Sequence, residues 1–254
     1  MPYLMQLGLA VGLGACLGSL SNVLIYRLPR NMNVVRGRSH CPSCGAVVAW
    51  YDNIPIFSWL LLTARCRHCR TVIPLSYIAV ELAGAACALV GIWRFGWSVE
   101  ALSAAFFLLV LLDIALVDWQ HMVIPHTLTV VGSIVGLVLS FFTALSPWQA
   151  VLGAATGAGI ILAISWGYKV VRGVVGMGGG DVMLMGMMGF FLGPWRVLAV
   201  LFGGALLGTV YVLTAGRAKL QGSAKLPFGT FLAAAAAIIL LFGSDLLAIY
   251  WSWF

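Results

Sequence analysis

Two carboxylates stand where a carboxylate is expensive. Asp181 closes the run Gly176-Met177-Gly178-Gly179-Gly180-Asp181 and heads the apolar stretch 182–192. Asp118 follows an earlier apolar stretch, 101–117. An acidic residue in such a place is a functional-site hypothesis by default. Alone, Asp181 also fits an ordinary helix cap, so the pair carries more than either member. Two carboxyl groups within hydrogen-bond reach share a proton, leaving one basic and one acidic. The ionised member takes a proton from water while the protonated member polarises a scissile carbonyl. That chemistry hydrolyses a peptide bond with no covalent enzyme intermediate. The four glycines before Asp181 allow a bent backbone that other chain can approach closely. His121 lies three residues past Asp118 and is read either as a neighbour that adjusts its proton or as an interfacial helix end. Asp113 and Glu81 are also acidic within apolar stretches. A five-residue separation turns Asp113 away from Asp118 on a helix, and both read as interior hydrogen-bonding groups.

A second constellation is made of sulfur. Cys41-Pro-Ser-Cys44 and Cys66-Arg-His-Cys69 are two CxxC knuckles with 21 residues between them. Four thiolates in this pattern read as a closed, structural tetrahedral zinc site. His40 and His68 flank the knuckles but are not needed as ligands. Cys16 and Cys87 fall in apolar stretches and read as packing residues. The zinc staples a segment too small to own a large core.

The elements that position these groups follow from composition. Of 254 residues, 62% are hydrophobic and 8% charged, and the mean hydropathy is +1.05. This is the profile of an all-α polytopic membrane protein. Eight transmembrane segments are predicted, over 4–26, 75–93, 101–117, 126–142, 151–168, 182–192, 197–214 and 231–253. The first shows neither a basic start nor a cleavage site and reads as a span, not a leader. Gly8, Gly12, Gly14 and Gly18 give it a small-residue face, and Asn22 near its end must face the bundle interior. The division is 1–27 as span 1, 28–74 as a zinc-stapled loop domain and 75–254 as a catalytic bundle. The loop domain has an apolar middle, 54–62, too short to span and placed at the membrane surface or against the bundle. Trp251 and Trp253 read as interface anchors.

The net charge of +7 does not point to nucleic acid. Seven of the 14 basic residues lie between Arg27 and Arg70. Lys169 with Arg172, and Arg217, Lys219 and Lys225, make two further clusters. With the N-terminus outside, all of these face the cytoplasm, and only Arg94 and Arg196 do not. The same topology brings Asp118 and Asp181 to similar depth at the cytoplasmic face.

Read together, these motifs resemble the bacterial type IV prepilin peptidases, leader peptidase and N-methyltransferase in one chain, over nearly the whole length. The resemblance rests on Gly18-Ser19 with Asn22 and Ile25-Tyr26-Arg27-Leu28-Pro29, and on Ser39-His40-Cys41-Pro42-Ser43-Cys44. It continues through Asp52-Asn53-Ile54-Pro55, Ser58-Trp59-Leu60 and Arg65-Cys66-Arg67-His68-Cys69. Asp118 running to Ile124-Pro125 matches the first aspartate motif, and the glycine run ending in Asp181 matches GxGD. The resemblance implies Asp118 and Asp181 as catalytic residues of a membrane aspartic endopeptidase of the bacterial inner membrane. Its substrates would be prepilins or type II secretion pseudopilins, cut after a glycine at the cytoplasmic face. S-adenosylmethionine would then methylate the new N-terminus, with Asp52, Asn53, Arg65 and Glu81 as polar lining of its pocket.

Three positions depart from the family pattern: His126 after the Ile-Pro pair, Thr63-Ala64 before the second knuckle, and Ser76-Tyr77-Ile78 ahead of Glu81. The last two bear on methyl transfer and leave a peptidase-only enzyme as an alternative. A GxGD protease with another substrate, an ion-coupled transporter with intramembrane carboxylates and a zinc-stabilised scaffold are the remaining readings. The sequence specifies neither the pilin nor an oligomeric state.

Overall fold

The computed structural model describes residues 2–174, 177–214 and 226–251. Gly176, Arg217, Lys219, Lys225 and Trp253 lie outside the described residues, as does the side chain of Trp251. Among the described residues the chain is all-α: α1 (Pro2–Arg27), α2 (Phe57–Leu61), α3 (Leu75–Phe95), α4 (Val99–His121), α5 (His126–Ser140), α6 (Pro147–Arg172), α7 (Gly179–Thr214) and α8 (Phe228–Trp251). Six of these are long and apolar enough to cross a membrane, and α5 is apolar but shorter. The chain divides within α4 into two compact units, Met1–Leu109 and Val110–Phe254.

In the first unit α1 and α3 approach so closely that only glycine fits. A methyl group on Gly14 would stand 2.7 Å from the Gly84 carbonyl oxygen, and one on Gly18 2.7 Å from that of Val80. Apolar tails are no less apolar than leucine, so such helices gain from close backbone packing instead. The predicted small-residue face included Gly8 and Gly12, and here the structure differs: neither has a neighbour within 4 Å. Asn22 makes an interhelical bond, Nδ2 donating to the Tyr77 carbonyl at 3.0 Å.

Residues 28–74 belong to the same unit. Arg27 anchors their start. It is buried, with Nη1 donating to the Asn33 carbonyl at 3.0 Å and Nη2 to that of Gly37 at 3.2 Å. Guanidinium is suited to this because its donors are fixed in a planar fork. Asn33 Oδ1 in turn accepts from the N–H groups of Val35 and Arg36. Each knuckle closes on an isolated antiparallel bridge, His40 with Val47 and Arg65 with Val72. Within the apolar middle only α2 is helical, and Phe57, Leu60 and Leu61 remain exposed.

Left-handed backbone concentrates in this loop. Ile56 has φ 64° and ψ −55°, and Phe57 N–H donates to the Pro55 carbonyl at 2.6 Å. This is a γ-turn, a strained form that persists only when its surroundings hold it. Thr63 and Ala64 follow with φ 50° and 58°, a region that costs a non-glycine L-residue roughly 1–2 kcal/mol. Ala64→Gly is therefore expected to raise the thermal unfolding midpoint in detergent, by roughly 1 kcal/mol of stability, and Ala64→Val to lower it.

In the second unit Ile114, Val117, Ile161, Leu184, Met185 and Met188 are fully buried. Helix α4 does not stop at 117, as predicted, but runs to His121, so Asp118 sits inside its last turns. Helix α6 also outruns its prediction at both ends. Ser146 and Gln149 form a capping box at its start, and Lys169 and Arg172 occupy its last turn, where cations complement the helix dipole.

Helix α7 is two limbs, 179–192 and 194–214. Gly193 breaks it with φ 76° and ψ 178°, and Pro194 follows. A methyl group on Gly157 would meet the Met185 carbonyl carbon and Val197 Cγ2, each at 3.0 Å. In one straight helix those residues would lie about 18 Å apart. The chain therefore reverses at Gly193-Pro194, the point where the sequence separates two segments. Leu232 of α8 packs on the second limb at Gly204, with Cδ2 at 2.7 Å from a methyl placed there.

Candidate active site and metal centre

Asp118 is 5% exposed and Asp181 is half-buried. Asp118 Oδ2 accepts from the Thr230 N–H at 2.9 Å, and Thr230 Oγ1 lies 3.3 Å from the same oxygen. Asp181 stands in the first turn of α7. Its Oδ2 accepts from the Gly178 N–H at 3.2 Å, so the glycine run folds back on the carboxylate it precedes. Both aspartate-bearing segments border Ile124. A methyl group on Gly180 would stand 3.0 Å from Ile124 Cβ, and one on Gly229 3.0 Å from both Ile124 Cδ1 and Asp118 Oδ2. Glycine at 180 and 229 thus lets α7 and α8 close on one side chain. Asp181 is near enough to Asp118 to feel its charge.

The surroundings fasten this arrangement. Ser165 Oγ of α6 donates to the Met177 carbonyl at 3.3 Å. His126 Nδ1 lies 2.8 Å from Met183 Sδ, so the departure at 126 touches the turn that carries Asp181. Trp119, Tyr211 and Phe231 form a row of ring contacts at 5.7 and 5.3 Å between centroids, tying α4, α7 and α8 beside Asp118. His121 is exposed, and Asp113 is buried in α4. Gly229 and Thr230 were missed by sequence reasoning, which placed them at a loop end and in a gap before the last span. The available signal was a Gly-Thr pair directly after Pro227-Phe228 at the head of an apolar helix.

The four cysteines of the knuckles converge. The Sγ atoms of Cys41, Cys44, Cys66 and Cys69 all lie within 4.8 Å of one another, with Cys41 and Cys69 3.7 Å apart. Four thiolates around zinc at ~2.3 Å have sulfur–sulfur edges of about 3.8 Å, so the cluster fits that ion. Cys69 Sγ lies 3.2 Å from Thr71 Oγ1. Hydrogen bonds from the Thr71 hydroxyl and then its backbone bring the Cys69 thiol down to about 6, which favours the thiolate a metal requires.

Beside the knuckles, in the same unit, is a cleft of about 290 Å³. Asp52, Asn53 and Glu81 line it, with Asn22 and Tyr77. Arg65 is not among the lining residues and is exposed. Asp52 is gripped by Arg67, Nε at 2.8 Å and Nη2 at 2.6 Å. That guanidinium holds the Asp52 carboxyl below the usual carboxylate range. Glu81 Oε2 accepts from the Ile56 N–H at 2.7 Å, so it supports the γ-turn beside Asp52 and Asn53.

The two units correspond to two known sequence patterns. Residues 13–95 match the bacterial peptidase A24 N-terminal domain, and residues 105–213 match the type IV leader peptidase family. A prepilin leader peptidase/N-methyltransferase of Myxococcus xanthus is 39% identical over 81% of this chain, which spans 63% of that relative. The Burkholderia pseudomallei protein of the same name is 35% identical, covering 96% of this chain and 88% of its own. For the Pseudomonas aeruginosa one the values are 30%, 94% and 91%. No solved structure matches the chain significantly.

Proposed function

Because this chain belongs to the type IV leader peptidase family, we propose that it cleaves the leader of a prepilin or pseudopilin after a glycine, with Asp118 and Asp181 as the catalytic dyad. The observation that carries this is that the segments bearing both aspartates meet at Ile124, with Asp181 near enough to feel the charge of Asp118. The ionised carboxyl takes a proton from water as the new C–O bond forms, and the protonated one hydrogen-bonds to the carbonyl oxygen. Collapse of the tetrahedral species breaks the C–N bond, and a proton passes to the leaving amine. The nucleophile is water, and the products are a leader acid and a new N-terminal amine.

Methylation of that amine is the second activity. S-adenosylmethionine supplies an electrophilic methyl group when bound. The cleft of the first unit is near the lower end of the ~300–1,000 Å³ usual for small-molecule sites, and its lining, with Asp52 and Glu81 beside Arg27 and Arg67, fits a ligand that carries both signs of charge. Glu81 and Asp52 bring negative charge, and Asn53 brings amide donors. Their roles are to orient that ligand, with Arg67 fixing Asp52 and Glu81 fixing the turn at Ile56. Arg65, exposed and off the lining, takes no such role. The cysteine cluster holds structural zinc and shapes the wall beside this cleft.

The enzyme is placed in the bacterial inner membrane with its N-terminus outside. Counting α5 and both limbs of α7, the chain crosses eight times. The dyad then lies at the cytoplasmic face, where a polar leader meets a hydrophobic helix. Mass spectrometry of a purified prepilin incubated with the enzyme tests both activities. Cleavage after glycine is expected without cofactor, and a further gain of one CH₂ on the mature N-terminus with S-adenosylmethionine. An uncut prepilin overturns the peptidase reading. A cut but never methylated product overturns the methyltransferase half alone.

A further inference from the structure

Asp118 is held from the start of α8, by Thr230 with the backbone of Gly229 beside it. Thr230 gives it a backbone N–H at 2.9 Å and presents a hydroxyl at 3.3 Å, both on Oδ2. The same hydroxyl lies 3.0 Å from the Ala115 carbonyl oxygen, one turn before Asp118 on α4. A hydroxyl has one proton to donate and lone pairs to accept with. While Asp118 is ionised, Thr230 Oγ1 can give its proton to Oδ2. When Oδ2 is protonated, the hydroxyl can turn its proton to Ala115 and accept from the acid. No buried polar atom is abandoned in either state, which spares the desolvation cost of an unpaired group. Both Thr230 contacts fall on Oδ2 and neither on Oδ1. Thr230 therefore clamps one oxygen and leaves the other to the reacting groups. Gly229 makes the clamp possible, since a methyl group there would stand 3.0 Å from Oδ2.

We propose that Thr230 is a positioning residue of the peptidase reaction, fixing Oδ2 of Asp118 and reversing its hydroxyl hydrogen bond as Asp118 gains and loses its proton. This rests on the dyad reading. The residue lies outside the segments that match the family patterns, 13–95 and 105–213, and acts only through Asp118.

The test is steady-state cleavage of a purified prepilin by the full chain in detergent. Thr230→Val keeps the N–H and the shape and removes the hydroxyl. It is expected to lower kcat about tenfold, the rate equivalent of ~1.4 kcal/mol, with KM unchanged. Thr230→Ala, a second variant lacking the hydroxyl, is expected to match it. Thr230→Ser restores the rotor and is expected to recover most of kcat. Parent-like kcat in Thr230→Val, a loss confined to KM, or Thr230→Ser as slow as Thr230→Val overturns the inference. Asp118→Asn in the same assay separates the two levels. If it still cleaves, the dyad reading fails. If it is inactive while Thr230→Val is fully active, only the role of Thr230 fails.

Discussion

Asp118→Asn and Asp181→Asn are each expected to abolish leader cleavage while the protein still folds and inserts. An amide cannot take the proton from water or carry it to the leaving nitrogen, and loss of general acid–base catalysis alone costs about 10²–10⁴ in rate. Because the two groups work on one shared proton, either substitution removes the function of both, so the double variant is expected to be no slower than the single ones. The fold is spared for a local reason. An asparagine carbonyl at 118 still accepts the Thr230 N–H that Asp118 accepts at 2.9 Å, and one at 181 still accepts from Gly178. A gel-shift assay on purified prepilin reads the result. Complete cleavage by either variant, at matched expression in membranes, removes the dyad assignment.

The second large effect is expected at the cysteine cluster. Zinc analysis of the purified parent should give about one ion per chain, and Cys44→Ser or Cys66→Ser should give none. The free energy of a structural zinc site reaches ~10–16 kcal/mol in isolated peptides. Here part of the loop has other anchors, the buried Arg27 and the contact of Glu81 with Ile56. Loss of the ion should therefore open 28–74 to limited proteolysis before it unfolds α1 and α3. Protease resistance of the loop unchanged by either substitution, or an intact parent with no zinc, would falsify the structural-zinc assignment.

How much of this was legible beforehand depends on whether the signal was local. The knuckles are local, since two short spacings bring four sulfurs within reach of one ion. The break at Gly193-Pro194 is local too, because glycine and proline punctuate a helix whatever surrounds them. Asp118 and Asp181 could be picked out because a carboxylate against apolar sequence is conspicuous. Helix ends were less readable. Asp118 and Arg172 look like loop residues by polarity, yet α4 runs past the first and α6 runs out to the second. Thr230 was not readable at all, since its contact with Asp118 joins residues 112 apart and a threonine in an apolar helix is unremarkable. Gly8 and Gly12 show the opposite failure. Their spacing matches that of Gly14 and Gly18, but the helix turns them away from α3.

The reversal at Gly193-Pro194 has a consequence for how the protein is made. The limb 179–192 is shorter than the ~20 residues that cross a bilayer's hydrocarbon, and it begins with a glycine-rich turn and an acidic residue. It has little tendency to enter lipid alone and should partition together with 194–214, as a hairpin, once both have left the ribosome. Asp181 is then delivered late in synthesis, and Thr230 later still. A nascent chain holding α1 through α7 has both aspartates and no residue to hold the first of them. The emerging enzyme is thus expected to stay inert toward peptide bonds until its last helix arrives.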